Sequence, residues 1–378
     1  MDFNLTDEQE ALRKTARKFS EQEIIPCIQA YDDKEEFPWK IIRKMHEVGL
    51  MTTGVPEKYS GPGIDMVGQM LVTEELCYGD LGVGITMASS ALLAPCPVLV
   101  GGNEDQKTRF FDALNGGTLA AFCLTEPGAG SDVAALAATA LKKGDHYILN
   151  GTKQFITNAG VADMYVVFAT TDRSQRYKGI IGFIVDRHTP GISVGPEEKK
   201  MGVHTSDTRQ VIFEDVAVPV ANRLGEEGEG FKICMKALDL SRPSVAAEAV
   251  GVAQRAFDIA VQYSQERTTF GQTISNYQAI RFMLADMAME IEAARLLTYK
   301  ACWLAMNGLP FSHIASYAKC FASDVAMRVT TNAVQILGGY GYLREYGVEK
   351  LMRDAKVMQI YEGTNQIQRV VISNHILK

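Results

Sequence analysis

One carboxylate near the C-terminus sits in a setting suited to proton abstraction. Glu362 lies between Tyr361 and Gly363 in the run DAKVMQIYEGTNQIQR over residues 354–369. Glycine lets a backbone bend sharply and approach a ligand closely. A carboxylate at such a bend, flanked by Ile360 and Tyr361, can be partly desolvated, with its pKa raised toward that of a general base. The same residues would equally make a helix-to-helix turn with a surface Glu. A second suggestive run, TEPGAGSD over residues 125–132, follows an apolar stretch of strand length. Its glycines permit close backbone approach, and its N–H groups could bind an anion or a polar ring edge. The run FITN at 155–158 places a ring and a hydroxyl at a strand end.

Several chemistries find no footing. No G-x-G-x-x-G, G-x-x-x-x-G-K-[ST] or G-x-S-x-G pattern occurs. The cysteines, Cys27, Cys77, Cys96, Cys123, Cys234, Cys302 and Cys320, are odd in number and form no C-x-x-C pair. That favours reduced thiols over a disulfide framework or a zinc site. The six histidines include no H-x-x-x-H pair, so the reading carries no metal. A net charge of −7 offers no basic stripe for nucleic acid. The opening MDFNLTDE is too acidic for a signal or transit peptide, and no apolar run is expected to reach the length of a membrane span. The expectation is a cytoplasmic protein.

The elements that must position these residues fall into three stretches. The 378 residues allow two or three domains. Residues 1–118 read as helical: TDEQ at 6–9 is a capping box, Pro38 opens a helix that Gly49 ends, residues 66–100 are apolar as in buried helices, and Gly116-Gly117 is a stop. Residues 119–229 read as strands, with Asn150-Gly151 as a hairpin signal. Strands in series without helices between them mean an antiparallel sheet or barrel. Residues 230–378 return to helical spacing, as in Ile280, Met283, Leu284, Met287 and Ile291, and three long helices with a shorter one suggest a four-helix bundle. The fold class is α+β, in the order helical domain, antiparallel β domain, helical bundle.

Six runs in this order resemble the acyl-CoA dehydrogenase family over essentially the whole chain. They are CLTEPGAGSD at 123–132, KQFITN at 153–158, ERTTFG at 266–271, AVQILGGYG at 333–341, LMRDAK at 351–356 and YEGTNQ at 361–366. The resemblance implies FAD, held non-covalently between the β domain and the bundle of a homotetramer. It implies that Phe122, Leu124, Thr125 and Ser131 line flavin and thioester, and that Phe155, Ile156 and Thr157 pack on the flavin ring. Arg267, Thr269, Phe270, Tyr277, Gln278, Gln335, Gly338 and Gly339 would serve the pyrophosphate and adenosine of a neighbouring subunit's FAD, and Thr364 and Gln366 would complete the flavin site. Asp239 and Arg242 would touch pantetheine, with Arg242 either binding or structural, and Tyr361 and Gly363 would flank the substrate.

The resemblance also implies a reaction. Glu362 would take the α-proton of a short- to medium-chain acyl-CoA, straight, branched or cyclic, while its N–H and a ribityl hydroxyl hold the thioester carbonyl. The β-hydrogen would leave as hydride to flavin N5, giving the trans-2-enoyl-CoA, and electrons would pass to electron-transfer flavoprotein. Some branches of the family carry the base just before an Arg-Pro pair; that position is Ser241 here, which cannot serve. Glu248, two turns further on, reads as a helix-face carboxylate. An acyl-CoA oxidase, or a non-catalytic relative acting as a scaffold, are the alternative readings.

Overall fold

Capping chemistry starts the chain's first helix where the sequence places it. In a computed structural model, which describes residues 4–377, Thr6 Oγ1 accepts the Gln9 N–H at 3.2 Å and Gln9 Oε1 accepts the Thr6 N–H at 3.0 Å. Met1–Phe3 of the acidic opening and Lys378 lie outside the described residues. Helix α1 (Asp7–Phe19) is followed by α2 (Ile28–Lys34), α3 (Trp39–Glu47), α4 (Met66–Gly79), α5 (Leu81–Ala88), α6 (Pro95–Gly101) and α7 (Glu104–Asn115). Gly49 and Gly117 follow α3 and α7 in the left-handed region, at φ +77° and +95°, as helix-ending glycines do.

The run Leu81–Gly101 corrects the expectation about apolar length. It is 21 residues long with a mean hydropathy of 1.8, enough to cross a membrane by length and composition alone. Most of it, 83% of the window, is instead buried in the protein, packed between the sheet and the C-terminal helices. Interspersed glycine, serine and proline hid the run from a reading by eye.

The middle of the chain forms strands β1 (Ala120–Cys123), β2 (Thr139–Lys143), β3 (His146–Thr157), β4 (Met164–Thr170), β5 (Ile180–Asp186), β6 (Ile192–Glu197), β7 (Thr208–Pro219) and β8 (Arg223–Leu224). Their order is β6-β7-β3-β2-β4-β5-β8, with β1 on β4. Most pairs are antiparallel, but β1 runs parallel to β4 from Ala120↔Met164 to Cys123↔Val167. The β2–β3 hairpin makes the crossover that a helix usually makes, so the absence of helices did not require a purely antiparallel sheet.

Asn150-Gly151 is not the hairpin turn. The β2–β3 turn is at Gly144-Asp145, with Lys143 opposite His146, while Asn150 and Gly151 sit inside β3 at a register shift against β7. Asn150 pins this bulge by accepting the Asp215 N–H at 2.8 Å and donating to Asp215 Oδ1 at 3.0 Å. A Cβ on Gly151 would lie 2.6 Å from Ala138 Cα, so the glycine serves a close backbone approach.

The C-terminal part holds α8 (Gly230–Glu266), a small hairpin of β9 (Thr268–Thr269) and β10 (Gln272–Thr273), then α9 (Gln278–Met306), α10 (Ser312–Leu337), α11 (Val348–Ala355) and α12 (Asn365–Ile376). The helices after α10 are two short ones, and α4 of the N-terminal part also packs along α8. Gly251 permits that approach, since a Cβ there would fall 2.2 Å from the Glu74 carbonyl oxygen. A buried charge cluster ties these segments together. Lys350 Nζ lies 2.5 Å from both Asp80 and Asp354 and 3.8 Å from Asp32, which Arg353 also reaches at 3.1 Å. Arg353 and Asp354 of the LMRDAK run therefore belong to an interior ion network.

Candidate active site

The Glu362 bend is built from two consecutive left-handed residues. Glu362 has φ +49° and Gly363 φ +90°. For a residue with a Cβ that conformation is strained by about 1–2 kcal/mol, and it persists only where the surroundings impose it. Here Lys319 Nζ donates to the Gly363 carbonyl at 2.8 Å, and Gln368 Nε2 donates to the Glu362 and Gly363 carbonyls at 3.1 and 3.0 Å. Lys319 is itself fully buried and also donates to Asn365 Oδ1 at 3.0 Å. Thr364 caps α12 by accepting the Ile367 N–H at 3.2 Å.

The carboxylate of this bend faces α8. Ser241 Oγ donates to Glu362 Oε2 at 2.5 Å, so the position that could not be a base is a hydrogen-bond donor to this carboxylate. Burial raises the Glu362 pKa above the usual carboxylate range, and the Ser241 hydrogen bond, then Lys319 and Arg242, partly offset the rise. Arg242 is buried, ion-paired with Asp239, and 3.5 Å from Ser316 Oγ, and its Nε is buried without a protein acceptor. These contacts favour the structural alternative for Arg242, with its charge felt at Glu362.

Glu248 is not a helix-face carboxylate. It is 2% exposed, and the Tyr361 hydroxyl donates to its Oε2. Seven residues are two helical turns, which puts Glu248 on the same face of α8 as Ser241. Burial, followed by the charge of Glu362, pushes its pKa up to about 8. The i,i+7 spacing from Ser241 was the available signal in the sequence; which of the polar residues scattered along α8 face the interior was not.

Two of the sequence runs converge on one buried pair. Lys153 Nζ lies 2.7 Å from Glu126 Oε1 and 3.0 Å from the Leu124 carbonyl, and Glu126 accepts the Ala137 and Ala138 N–H groups at 2.6 and 3.0 Å. This pair fixes the TEPGAGSD loop beside the FITN strand end. Around it, Ser131 and Phe155 are exposed, Phe122, Thr125 and Thr157 are half-buried, and Leu124 and Ile156 are buried. The Ile156 side chain packs in the core, so only its backbone is placed to meet a ring; Phe155, at φ +57°, turns its own ring outward.

A third group lies at the far end of α8. A cavity of about 380 Å³ is lined by Arg267, Thr269, Gly338, Gly339, Tyr263 and Tyr340. Among the described residues Arg267 forms no ion pair with a carboxylate, and its guanidinium lies 5.4 Å from the Tyr340 ring centroid. Added Cβ atoms at Gly338 and Gly339 would meet nothing within 4 Å. An unneutralised guanidinium beside open backbone fits a pyrophosphate. Tyr277 steadies the adjoining β9–β10 hairpin by donating to the Thr269 carbonyl at 2.8 Å. At the hairpin's tip Phe270, at φ +48°, is 98% exposed. Gln278, Gln335 and Gln366 are exposed as well.

Comparisons with known proteins bear on this arrangement. The chain matches the acyl-CoA dehydrogenase N-terminal domain over residues 6–118, the middle domain over 121–216 and the C-terminal domain over 228–377. It is 44% identical to the short-chain specific acyl-CoA dehydrogenase of Clostridium acetobutylicum over the full length of both chains. The structure of butyryl-CoA dehydrogenase from Megasphaera elsdenii superposes with a TM-score of 0.98 at 48% identity, covering all of both chains. A chain solved in work on the electron transferring flavoprotein of Acidaminococcus fermentans does so with a TM-score of 0.98 at 50% identity, again over all of both.

Proposed function

Because the chain belongs to the acyl-CoA dehydrogenase family, we propose that Glu362 is the base that removes the α-proton of a short-chain acyl-CoA. The enzyme dehydrogenates acyl-CoA thioesters and uses FAD as its cofactor. FAD, when bound, supplies the acceptor for the β-hydride. The chain's own part is to hold a base, a carbonyl-binding group and a dry pocket in register. The observation that carries the reading is the strained Glu362 bend, held by Lys319 and Gln368 with its carboxylate on Ser241.

Proton abstraction next to a thioester leaves negative charge on the carbonyl oxygen, which an oriented backbone N–H stabilises. The Glu362 N–H is the group we assign to that oxygen. Binding of the acyl chain expels water and leaves the carboxylate a stronger base. Thr157, Phe155, Thr125 and Ser131 would hold the flavin ring at the strand end, with Thr364 and Gln366 on its other border. Arg267, Thr269, Gly338 and Gly339 would hold a pyrophosphate. An exposed Phe270 beside that cavity supports contact with a second subunit. So does the stripe of Phe282, Met289, Leu296 and Trp303, exposed at seven-residue intervals along α9. A homotetramer would cover the stripe, and the likeness to a chain solved in work on an electron transferring flavoprotein supports such a flavoprotein as the electron acceptor.

The test is anaerobic reduction of the holoenzyme by butyryl-CoA in stopped flow. Glu362→Gln should lose about 10²–10⁴-fold in rate, the contribution expected of a general base. Near wild-type reduction by the variant removes Glu362 from the mechanism. Comparison of butyryl-, hexanoyl- and octanoyl-CoA in the same assay ranks chain length, and a preference for octanoyl-CoA would overturn the short-chain assignment.

A further inference from the structure

Two consecutive residues of the bend grip two positions of one helix face. Ser241 Oγ donates to Glu362 and the Tyr361 hydroxyl donates to Glu248, with Ser241 and Glu248 two turns apart on α8. The grip places two carboxyl groups in one site, Glu248 buried and Glu362 half-buried. Glu248 is faced by Cys77 of α4, with Glu74 and Asp80 behind it, by Lys319 of α10, and by Tyr361 and Glu362 of the bend. The charges behind are otherwise engaged: Glu74 pairs with Arg295 at 2.9 Å and Asp80 with Lys350. Lys319 gives its hydrogen bonds to Gly363 and Asn365. Among the described residues no second cation is aimed at Glu248, since Arg242 acts on Glu362.

We propose that Glu248 is a positioning residue for the reaction: as a neutral acid on Tyr361 it holds the Tyr361–Glu362 bend against α8 and leaves Glu362 as the single charge facing the acyl group. This rests on Glu362 being the base. Burial and the Glu362 charge keep the Glu248 proton in place to about pH 8. An acyl group that expels water from the site penalises a second charge further, so acyl-CoA binds the form in which Glu248 is protonated. Above that pH each unit costs about tenfold in the fraction of enzyme able to bind.

The experiment is the pH dependence of kcat and kcat/KM from pH 6 to 9.5 for the holoenzyme and its variants. Wild type should lose kcat/KM by about tenfold per pH unit above about pH 8, chiefly through KM. Glu248→Gln, which keeps an acceptor for Tyr361 but cannot ionise, should hold kcat/KM flat through that range. Tyr361→Phe removes a hydrogen bond that lowers the Glu248 pKa, so its alkaline limb should move to higher pH. An unchanged limb in Glu248→Gln overturns the proposal, and so does the absence of any limb in wild type. If Glu248→Gln does not fold, an unmoved limb in Tyr361→Phe overturns it equally. Activity retained in Glu362→Gln would instead remove the base on which the proposal stands.

Discussion

Replacing Ser241 with alanine tests the electrostatics of the base without removing it. Ser241 Oγ donates to Glu362 Oε2 at 2.5 Å, and that bond stabilises the ionised carboxylate. A hydrogen bond to a charged group contributes about 1.5–3 kcal/mol, and Glu362 is only half-buried, which favours the lower figure. Ser241→Ala should therefore raise the Glu362 pKa further, and about 1.4 kcal/mol corresponds to about one pH unit in the acid limb of the rate profile. The sign follows from the role. The base acts only when ionised, so a higher pKa moves the acid limb of the rate profile to higher pH. Above the new pKa the carboxylate is fully ionised again, so the rate there should stay within a few-fold of wild type. The assay is the rate of flavin reduction by saturating acyl-CoA, measured anaerobically from pH 5.5 to 8. A uniform fall at every pH with an unmoved acid limb would show that Ser241 acts only in packing, and the reasoning would be refuted.

Two further outcomes follow from the charges elsewhere. Lys350→Met leaves Asp32, Asp80 and Asp354 buried around a missing cation, and breaking such a network costs about 3–5 kcal/mol, read as a lower Tm. Without the lysine, burial would hold the folded-state pKa values of Asp80 and Asp354 above their unfolded ones, so the loss should be largest at neutral pH and shrink as pH falls toward about 4. An unchanged Tm would mean that the cluster does not bear on stability. Arg267→Met should weaken FAD binding by about 10–100-fold, the value of a charge-assisted hydrogen bond, measured by titrating apoprotein with FAD. Unchanged affinity would remove Arg267 from the cofactor site.

Local chemistry was readable where it depended on neighbours in the chain. The capping box at Thr6, the glycine stops at Gly49 and Gly117 and the change from helix to strand near Leu119 all rest on residues a few positions apart. The bend at Glu362 was readable for the same reason, since Tyr361 and Gly363 adjoin it. Asn150-Gly151 misled because the dipeptide suits any left-handed or crowded backbone position. Only its partners, Asp215 and Ala138, decide between a turn and a bulge.

The sequence by itself determined the order of the elements, the carboxylate at the C-terminal bend and the runs that mark the family. The tertiary structure decided what those runs do. Two of them became a buried Lys153–Glu126 brace and another an interior ion network. The structure also made Ser241 a donor to the Glu362 carboxylate and drew Glu248 from an assumed helix surface to the Tyr361–Glu362 bend. The reason is that a side chain's charge and role depend on how much water and which opposite charges surround it. Those surroundings come from α4, α8, α10 and the C-terminal bend, segments that lie far apart in the chain and meet only when it folds.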